Sequence, residues 1–292
     1  MTKTIETLIE DIYSLLDNGV EVNYEGLSDY GDEHVEVLFQ RLDSDQRTRE
    51  KRGNLRLSSI GTPCARKLWY GLHTPDEREP LFAHTRLKFL YGDLIETLVL
   101  ELARKSGHLV EGEQDEILVN GVAGHRDCVI DGITVDVKSA SDYSFRKFQG
   151  GLQREDDSFG YLTQLGSYLL GSRDDPRVIE KNKAAFLVMN KVTGRLCLDV
   201  HEFTEEDFVQ LSNTILNRQD SVGDAETIPG RGFEATPEGK SGNLKLGVNC
   251  SYCDFKQICW PTLRTFMYSG NRPVFLTHVE REPDVTEVTK DG

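Results

Sequence analysis

The sequence changes from helical to alternating hydrophobic periodicity at residues 113–139, and this change constrains the fold more than any other feature. Two dipeptides typical of tight hairpin turns, Asn120-Gly121 and Asp131-Gly132, lie in this stretch between segments rich in Val and Ile. The pattern predicts a three-stranded meander with strands at about 113–119, 122–130 and 133–139.

Helical periodicity flanks the meander on both sides. The strongest helix is predicted at 84–105, where five leucines recur in register, namely Leu87, Leu90, Leu94, Leu98 and Leu102. A second helix is predicted at 159–170. Weaker signals predict helices at 4–17, 59–70 and 204–218, and strands at 184–190 and 196–200. We therefore expect an α/β fold in which a mixed central sheet, built on the meander, is flanked by the two main helices.

The turn at Asp131-Gly132 sets the register of its hairpin. If these two residues form the loop, continuing the pairing outward places Asp127 opposite Asp136, with Cβ atoms roughly 5 Å apart. Lys138 lies two residues beyond Asp136 and therefore shares its face of the sheet. The opposite face collects apolar side chains that form a core surface, namely Cys128, Ile130, Ile133, Val135 and Val137.

Two opposed carboxylates beside an apolar sheet repel each other, so one must take up a proton unless a cation neutralises both. A hard divalent cation such as Mg²⁺ or Mn²⁺ fits this position, because carboxylates, water and phosphate oxygens are its usual ligands. Lys138 would then orient or deprotonate an attacking water, or stabilise the negative charge that develops on a phosphate. Judged on the hairpin alone, an exposed acidic face with a compensating lysine explains the same residues.

The motifs around this hairpin resemble those of RecB-like PD-(D/E)xK nucleases. Gly124-His125-Arg126-Asp127 resembles their GxxD motif, and Asp136-Val137-Lys138 resembles their DxK motif. Glu96 stands upstream, where these families place a metal-binding Glu or His, and Gln164-x3-Tyr168 matches their QxxxY motif downstream. The resemblance covers most of residues 60–170 and implies a restriction-endonuclease-like core.

The resemblance implies a role for each matching residue. Glu96, Asp127 and Asp136 would bind Mg²⁺ or Mn²⁺, with the Val137 carbonyl as a further ligand. Lys138 would be the catalytic lysine. A separate argument favours Glu96 as a ligand, because small or apolar residues share its side of the helix and a carboxylate buried there without a partner is costly.

The implied activity is metal-dependent hydrolysis of phosphodiester bonds by a DNA exonuclease that acts at DNA ends or on single strands. Gln164 and Tyr168, which share one helix face, would position the substrate or the active site. The settings that the resemblance implies are phage or prokaryotic recombination, replication or CRISPR adaptation. Many CRISPR-associated members carry His in place of Glu96, which favours a phage or recombination relative. The alternative function is a non-catalytic DNA-binding or assembly subunit that keeps the nuclease fold.

Four of the six cysteines form a recognisable pattern. Cys250-x2-Cys253-x5-Cys259 near the C-terminus, together with Cys64, resembles the iron–sulfur branch of RecB-like nucleases. This resemblance implies a structural 4Fe–4S cluster that ties the segment around Cys64 to the C-terminal segment. Structural Zn²⁺ is the alternative, and four unrelated thiols would be the ordinary explanation.

Charge and length suggest how the chain is organised. The net charge is −15, but residues 1–40 hold ten acidic side chains against one lysine, whereas residues 41–88 hold eleven basic against six acidic ones. The basic segment is compatible with DNA binding, and the acidic segment with a protein partner. We predict an acidic N-terminal helix and polar segment at 1–55, a nuclease core at 56–270 and a polar tail at 271–292. With no apolar run near about 18 residues, we expect a cytoplasmic protein without membrane contact.

Overall fold

A computed structural model describes residues 3–19, 31–32, 34–36, 38–39, 53–80, 83–270 and 272–288. Its helices are α1 (Leu8–Asn18), α2 (Leu57–Ile60), α3 (Ala65–His73), α4 (Ala83–Lys105), α5 (Asp142–Gln149), α6 (Tyr161–Ser172), α7 (Glu205–Gly223), α8 (Val248–Ser251) and α9 (Lys256–Cys259). Much of the polar segment that the sequence analysis assigned to 1–55 lies outside the described residues, as does the end of the tail.

Twelve strands are present in the described part of the chain: β1 (Val110–Glu111), β2 (Glu116–Val119), β3 (Val122–His125), β4 (Cys128–Ile130), β5 (Ile133–Ala140), β6 (Lys183–Asn190), β7 (Leu196–Glu202), β8 (Thr236–Pro237), β9 (Leu244–Lys245), β10 (Arg264–Tyr268), β11 (Arg272–His278) and β12 (Glu287–Val288). The chain divides into two compact units. The first comprises Met1–Glu50, Leu55–Gly61 and Leu81–Asn217, and the second comprises Lys51–Asn54, Thr62–Pro80 and Arg218–Gly292.

The first unit is built on a mixed five-stranded sheet in the order β1-β4-β5-β6-β7, in which β5 and β6 are parallel and the other pairs are antiparallel. The predicted register of the β4–β5 hairpin is confirmed: Cys128 pairs with Val135, Val129 with Thr134 and Ile130 with Ile133. Asp131 and Gly132 form the two-residue loop, and both have positive φ, +49° and +83°. A tight turn of this kind needs left-handed residues, which Asp and Gly tolerate best.

The three-stranded meander is wrong in one respect, because its strands divide between two sheets. Strands β2 and β3 form a separate two-stranded sheet, and β1 takes the place beside β4. The first predicted strand, 113–119, is shortened to β2, because Gly112 and Gln114 before it have left-handed backbones. The second is interrupted at Arg126, whose side chain is 1% exposed and forms ion pairs with Asp115 at 2.9 Å and with Asp175. A buried guanidinium needs these partners, so the chain bends to reach them.

Helices cover both faces of the central sheet, as predicted. On one face, α1 and α4 pack against the five apolar side chains predicted to form a core surface: Cys128, Ile130, Ile133, Val135 and Val137. On the other face, α5 and α6 pack against β6. Each fully buried side chain of this size contributes about 1.5–3 kcal/mol of transfer free energy. These two layers therefore fix the positions of α4 and α6 relative to β5.

Helix α5 was not predicted. It is only eight residues long, and it buries just Phe145 and Phe148, too few anchors to show a helical period. Ser141 caps its N-terminus by accepting a hydrogen bond from the Ser144 amide. The helix directly follows β5, and it therefore forms part of the surroundings of the β5 side chains.

The second unit contains a five-stranded sheet in the order β12-β10-β11-β9-β8. Strands β11 and β12 fall within residues 271–292, which the sequence analysis assigned to a polar tail. Helix α3 packs in this unit through Tyr70, whose ring lies 5.6 Å from that of Phe255. The Trp69 indole donates a hydrogen bond to the Asp224 carbonyl at 2.7 Å. Within the part of the chain that the structure describes, no helix is long and apolar enough to cross a membrane.

Candidate active site

Strand β5 carries Asp136 and Lys138 on the same face, as the period of two requires. Because β5 lies between β4 and β6, Asp136 is only 1% exposed. Lys138 Nζ lies 2.6 Å from Asp136 Oδ2. The contact is a charge-assisted ion pair, and Asp136 Oδ1 accepts a long hydrogen bond from Gln164 Nε2 at 3.5 Å. The centre of the sheet therefore holds a buried carboxylate whose main partner is the Lys138 ammonium.

Asp127 lies one residue beyond the last pair of the β4–β5 ladder. Its Oδ2 accepts a hydrogen bond from the Val137 amide at 2.7 Å. If β4 extended further, the Val137 amide would donate to one of its main-chain carbonyls. The Asp127 carboxylate takes the place of that carbonyl. The Gln114 amide donates to the Asp127 carbonyl at 3.1 Å. Asp127 is thus held beside Asp136 from both its side chain and its main chain.

Glu96 reaches this region from α4. The side-chain amide of Gln114 donates a hydrogen bond to Glu96 Oε1 at 2.7 Å. Gln114 therefore contacts two of the candidate metal ligands, Glu96 through its side chain and Asp127 through its main chain. It does so with a left-handed backbone, φ +53°, a conformation that costs free energy for a residue other than glycine.

Burial raises the pKa of all three carboxyl groups, and the charge of Asp136 raises the pKa of the other two further. Burial raises the pKa of Glu96 to about 7, and the charge of Asp136 adds to this while the Gln114 hydrogen bond opposes it. Burial, followed by the charges of Asp136 and Glu96, raises the pKa of Asp127 well above its usual value. Burial also raises the pKa of Asp136, although the Lys138 ammonium opposes the shift. The cluster lacks enough positive charge of its own.

Lys138 responds in the opposite sense. Burial lowers the pKa of its ammonium, but the charges of Asp136 and Asp127 outweigh burial and raise the pKa overall. The Tyr161 ring also lies close, with its centroid 5.2 Å from Lys138 Nζ. A cation over an aromatic face is stabilised further. Lys138 is therefore held as an ammonium in the protein without a divalent ion.

The donor chemistry of this cluster fits a hard divalent cation. Three carboxyl groups with raised pKa values share the Lys138 ammonium, so they supply oxygen ligands with too little counter-charge. Within the described residues, no group of three or more His, Cys, Asp or Glu side chains is already arranged around a point that could hold a metal ion. The carboxylates are thus adjacent but not drawn together into a coordination shell.

Helix α6 contributes Gln164 and Tyr168. Gln164 Nε2 donates to the Tyr168 hydroxyl at 2.9 Å and approaches Asp136 Oδ1 at 3.5 Å. Burial, with the nearby charge of Asp136, raises the pKa of Tyr168. Packing around the tyrosine explains Gly124 of the GxxD motif, because a Cβ there would lie 3.1 Å from the Tyr168 ring and 2.7 Å from Leu57 Cβ. The structure thus brings together all six candidate side chains of the sequence analysis.

The sequence analysis missed two residues of this region. Tyr161 precedes Gln164 by three positions and Tyr168 by seven, so the face of α6 defined by those two residues could have revealed it. Gln114 gave no such signal, because its role depends on a left-handed turn between two short strands.

Comparison with known proteins identifies the family. The model of the PD-(D/E)XK nuclease superfamily matches residues 9–260. The chain belongs to this superfamily. An alkaline exonuclease (LHK-Exo) from Laribacter hongkongensis has a similar structure, with 11% identity over 59% of this chain and 89% of that chain and a TM-score of 0.43. A protein named SSO0001 is 17% identical over 76% of this chain and 94% of that chain, with a TM-score of 0.41. No curated protein matches.

Membership of the PD-(D/E)XK nuclease superfamily supports nuclease activity, and its members generally use Mg²⁺ or Mn²⁺. The oxygen-rich cluster on β5 agrees with this preference. The α/β architecture of the first unit, a mixed sheet between helices, is also consistent with a PD-(D/E)XK core.

The four cysteines of the C-x2-C pattern belong to the second unit of this PD-(D/E)XK chain. Each is a half-buried free thiol, whereas Cys128 and Cys197 are buried in the first unit. Burial, then the proximity of Cys64 and Cys259, raises the pKa of Cys250. Cys64 is therefore near the 250–259 segment, but among the described residues these thiols do not form a ready-made metal site.

Proposed function

We propose that this chain is a metal-dependent DNA exonuclease that hydrolyses phosphodiester bonds at DNA ends or on single strands. The observation that carries the proposal is the buried pair of Asp136 and Lys138 on β5, with Asp127 and Glu96 beside it and too little positive charge for three carboxylates. Nuclease activity follows from the family, whereas the DNA substrate and the preference for ends are part of the proposal.

Glu96, Asp127 and Asp136 would hold one or two Mg²⁺ or Mn²⁺ ions, with the Val137 carbonyl as a further ligand. A bound ion would supply Lewis acidity toward a phosphate oxygen and an activated water. The Val137 amide keeps Asp127 oriented, because it fixes one carboxylate oxygen and leaves the other for a ligand. The site therefore supplies both charge and orientation.

Lys138 would orient or deprotonate the attacking water, or stabilise the charge that develops on the phosphate. Its ion pair with Asp136 places Nζ beside the carboxylates that would hold the ion. Gln164 and Tyr168 act as positioning residues, since the Gln164 amide joins the Tyr168 hydroxyl to Asp136.

End-labelled single-stranded and duplex DNA, with and without Mn²⁺, would test the proposal. The wild type should release short products from labelled ends and leave circular single strands intact. Asp136→Ala should lower the rate by about a thousandfold, as for loss of a group that stabilises transition-state charge, and the fold should remain. Asp142→Ala is a matched control, because it removes an exposed carboxylate paired with Arg146. Cleavage of circles would refute exonuclease action, and binding without cleavage would instead support the non-catalytic subunit.

We further propose that Cys64, Cys250, Cys253 and Cys259 bind a 4Fe–4S cluster, with structural Zn²⁺ as the alternative. The cysteine spacing and the proximity of Cys64 to Cys250 support this. Protein purified without oxygen should be brown with about four iron atoms per chain, and changing any of the four to serine should bleach it. Cys197→Ala should not. Colourless protein with stoichiometric zinc would favour the alternative.

The biological setting stays a prediction. Phage or prokaryotic recombination, replication and CRISPR adaptation are the settings proposed from the sequence, along with a cytoplasmic location. A protein partner for the acidic N-terminal segment and the boundaries 1–55, 56–270 and 271–292 also stay predictions.

A further inference from the structure

Two aromatic rings lead from Lys138 to the surface. Tyr161, the first residue of α6, lies with its ring 5.2 Å from Lys138 Nζ. The Phe159 ring follows, with its centroid 5.6 Å from that of Tyr161 and the two planes inclined by 35°. Tyr161 is half-buried, whereas Phe159 is 50% exposed. The rings thus form a short series that begins at the proposed catalytic lysine and ends in solvent.

The turn that carries Phe159 is fixed by its neighbours. Asp157 accepts hydrogen bonds from the amides of Tyr161 and Leu162, at 2.9 and 2.8 Å, and so caps α6. Gly160 has φ +77°, and a Cβ there would lie 2.2 Å from the Gly61 carbonyl oxygen. The Lys147 ammonium donates to the Asp156 carbonyl at 2.8 Å, which ties the turn to α5. An exposed ring is therefore presented on a backbone with little freedom.

Charge argues for a contact with bases rather than with phosphates at this point. The chain carries a net charge of −15, and the turn contains Glu155, Asp156 and Asp157. Phosphate contacts depend on lysine and arginine and are sensitive to salt. Stacking of a base on an aromatic ring does not require positive charge, and it accepts any base because every base has a π face.

We propose that Phe159 and Tyr161 form a stacking site for an unpaired nucleobase of a DNA strand whose phosphate lies at Asp136 and Lys138. This inference rests on the proposed function and makes its substrate more specific. A base in an intact duplex is already stacked and paired, so it must be unpaired before it can use an external ring. The site therefore selects single strands and frayed ends over blunt, fully paired ends.

A double-mutant cycle between Phe159→Ala and an abasic oligonucleotide tests the contact directly. Fluorescence anisotropy would follow binding of labelled oligothymidylate with Ca²⁺ in place of Mg²⁺ or Mn²⁺, so that the carboxylates have a counter-charge, and gels would check that the strand stays intact. The abasic position would be moved one nucleotide at a time from the end. At one abasic position, the wild type should bind about tenfold more weakly than it binds the intact strand. Phe159→Ala should bind the intact strand about tenfold more weakly than the wild type does, and the abasic strand should weaken its binding no further. Additive losses at every position, or no loss, would overturn the inference.

Variants at the same position separate stacking from simple apolar contact. Phe159→Tyr and Phe159→Trp keep a π face and should bind like the wild type, whereas Phe159→Leu keeps apolar surface without one and should behave like Phe159→Ala. Phe89→Ala is matched in residue type and in exposure, 46%, and should change nothing. Full affinity in Phe159→Leu would overturn the stacking site, and melting temperatures would show that each variant is folded.

Steady-state kinetics distinguish failure of this inference from failure of the proposed function. If the wild type cleaves DNA, Phe159→Ala should raise KM for single strands more than it lowers kcat. A wild type that cleaves, with an unchanged Phe159→Ala, overturns the inference alone. If the wild type shows the non-additive losses of the double-mutant cycle but never cleaves DNA, the nuclease proposal is overturned and the stacking site stands. A wild type that neither binds nor cleaves overturns both.

Discussion

Replacing Glu96 by glutamine should stabilise the protein when no divalent ion is present, and more so at higher pH. Burial raises the pKa of Glu96 from 4.5 to about 7 in the folded state. A carboxyl group whose folded pKa is raised carries a cost that is absent below the unfolded value, grows as pH rises and is complete above the folded value. Glutamine has no such charge, and its side-chain oxygen can still accept the Gln114 hydrogen bond.

The shift of pKa gives the size of the effect. At about 1.4 kcal/mol for each pH unit, the free energy of unfolding of Glu96→Gln should exceed that of the wild type by about 3 kcal/mol above pH 8 and by less than about 1 kcal/mol at pH 5. Urea unfolding followed by circular dichroism in EDTA, between pH 5 and pH 9, would measure the difference.

The control is Glu101→Gln on the same helix, which removes ion pairs to Arg104 and Lys105 and should not stabilise the protein. Added Mg²⁺ should shrink or reverse the advantage of Glu96→Gln, because only the wild type gains from a complete ligand set. A gain that is equal at pH 5 and pH 8.5, or a loss at every pH, would refute the reasoning.

Three further substitutions test the surroundings of the site. Gln114→Leu removes the hydrogen bond that lowers the pKa of Glu96, so Mn²⁺ affinity measured by calorimetry should fall by about tenfold. Unchanged affinity would show that Gln114 does not support the metal ligands. Arg126→Met removes the buried guanidinium but leaves Arg177 paired with both aspartates, so it should lower the free energy of unfolding by about 1–3 kcal/mol in urea. Gly124→Ala forces a Cβ to within 2.7 Å of Leu57, and it should cost about 1–3 kcal/mol in thermal melting.

The sequence predicted the parts of the site that local geometry determines. The register of the β4–β5 hairpin followed from its two loop residues alone, and that register assigned Asp136 and Lys138 to one face and Cys128 to the other. The spacing of Gln164 and Tyr168 likewise fixed their shared helix face.

Features that depend on distant partners were not predictable in this way. The break before β4 depends on Arg126 meeting Asp175, a residue 49 positions away. Strand β11 shows no clear alternation and was assigned to the polar tail, and β10 lies within the predicted core but was not predicted as a strand. Helix α5 was too short to show a period.

The hydrogen bond from the Val137 amide to Asp127 makes this amide sensitive to protonation of the carboxylate and to cation binding. An amide proton held by a carboxylate resonates differently when that carboxylate is drawn toward a cation or takes up a proton. A single ¹⁵N-labelled amide at Val137 would therefore register titration of the cluster and arrival of an ion without any added probe. The Asp127 carboxylate both ends the β4–β5 pairing and is a proposed metal ligand. A substitution that moves the end of this pairing would therefore also move a ligand.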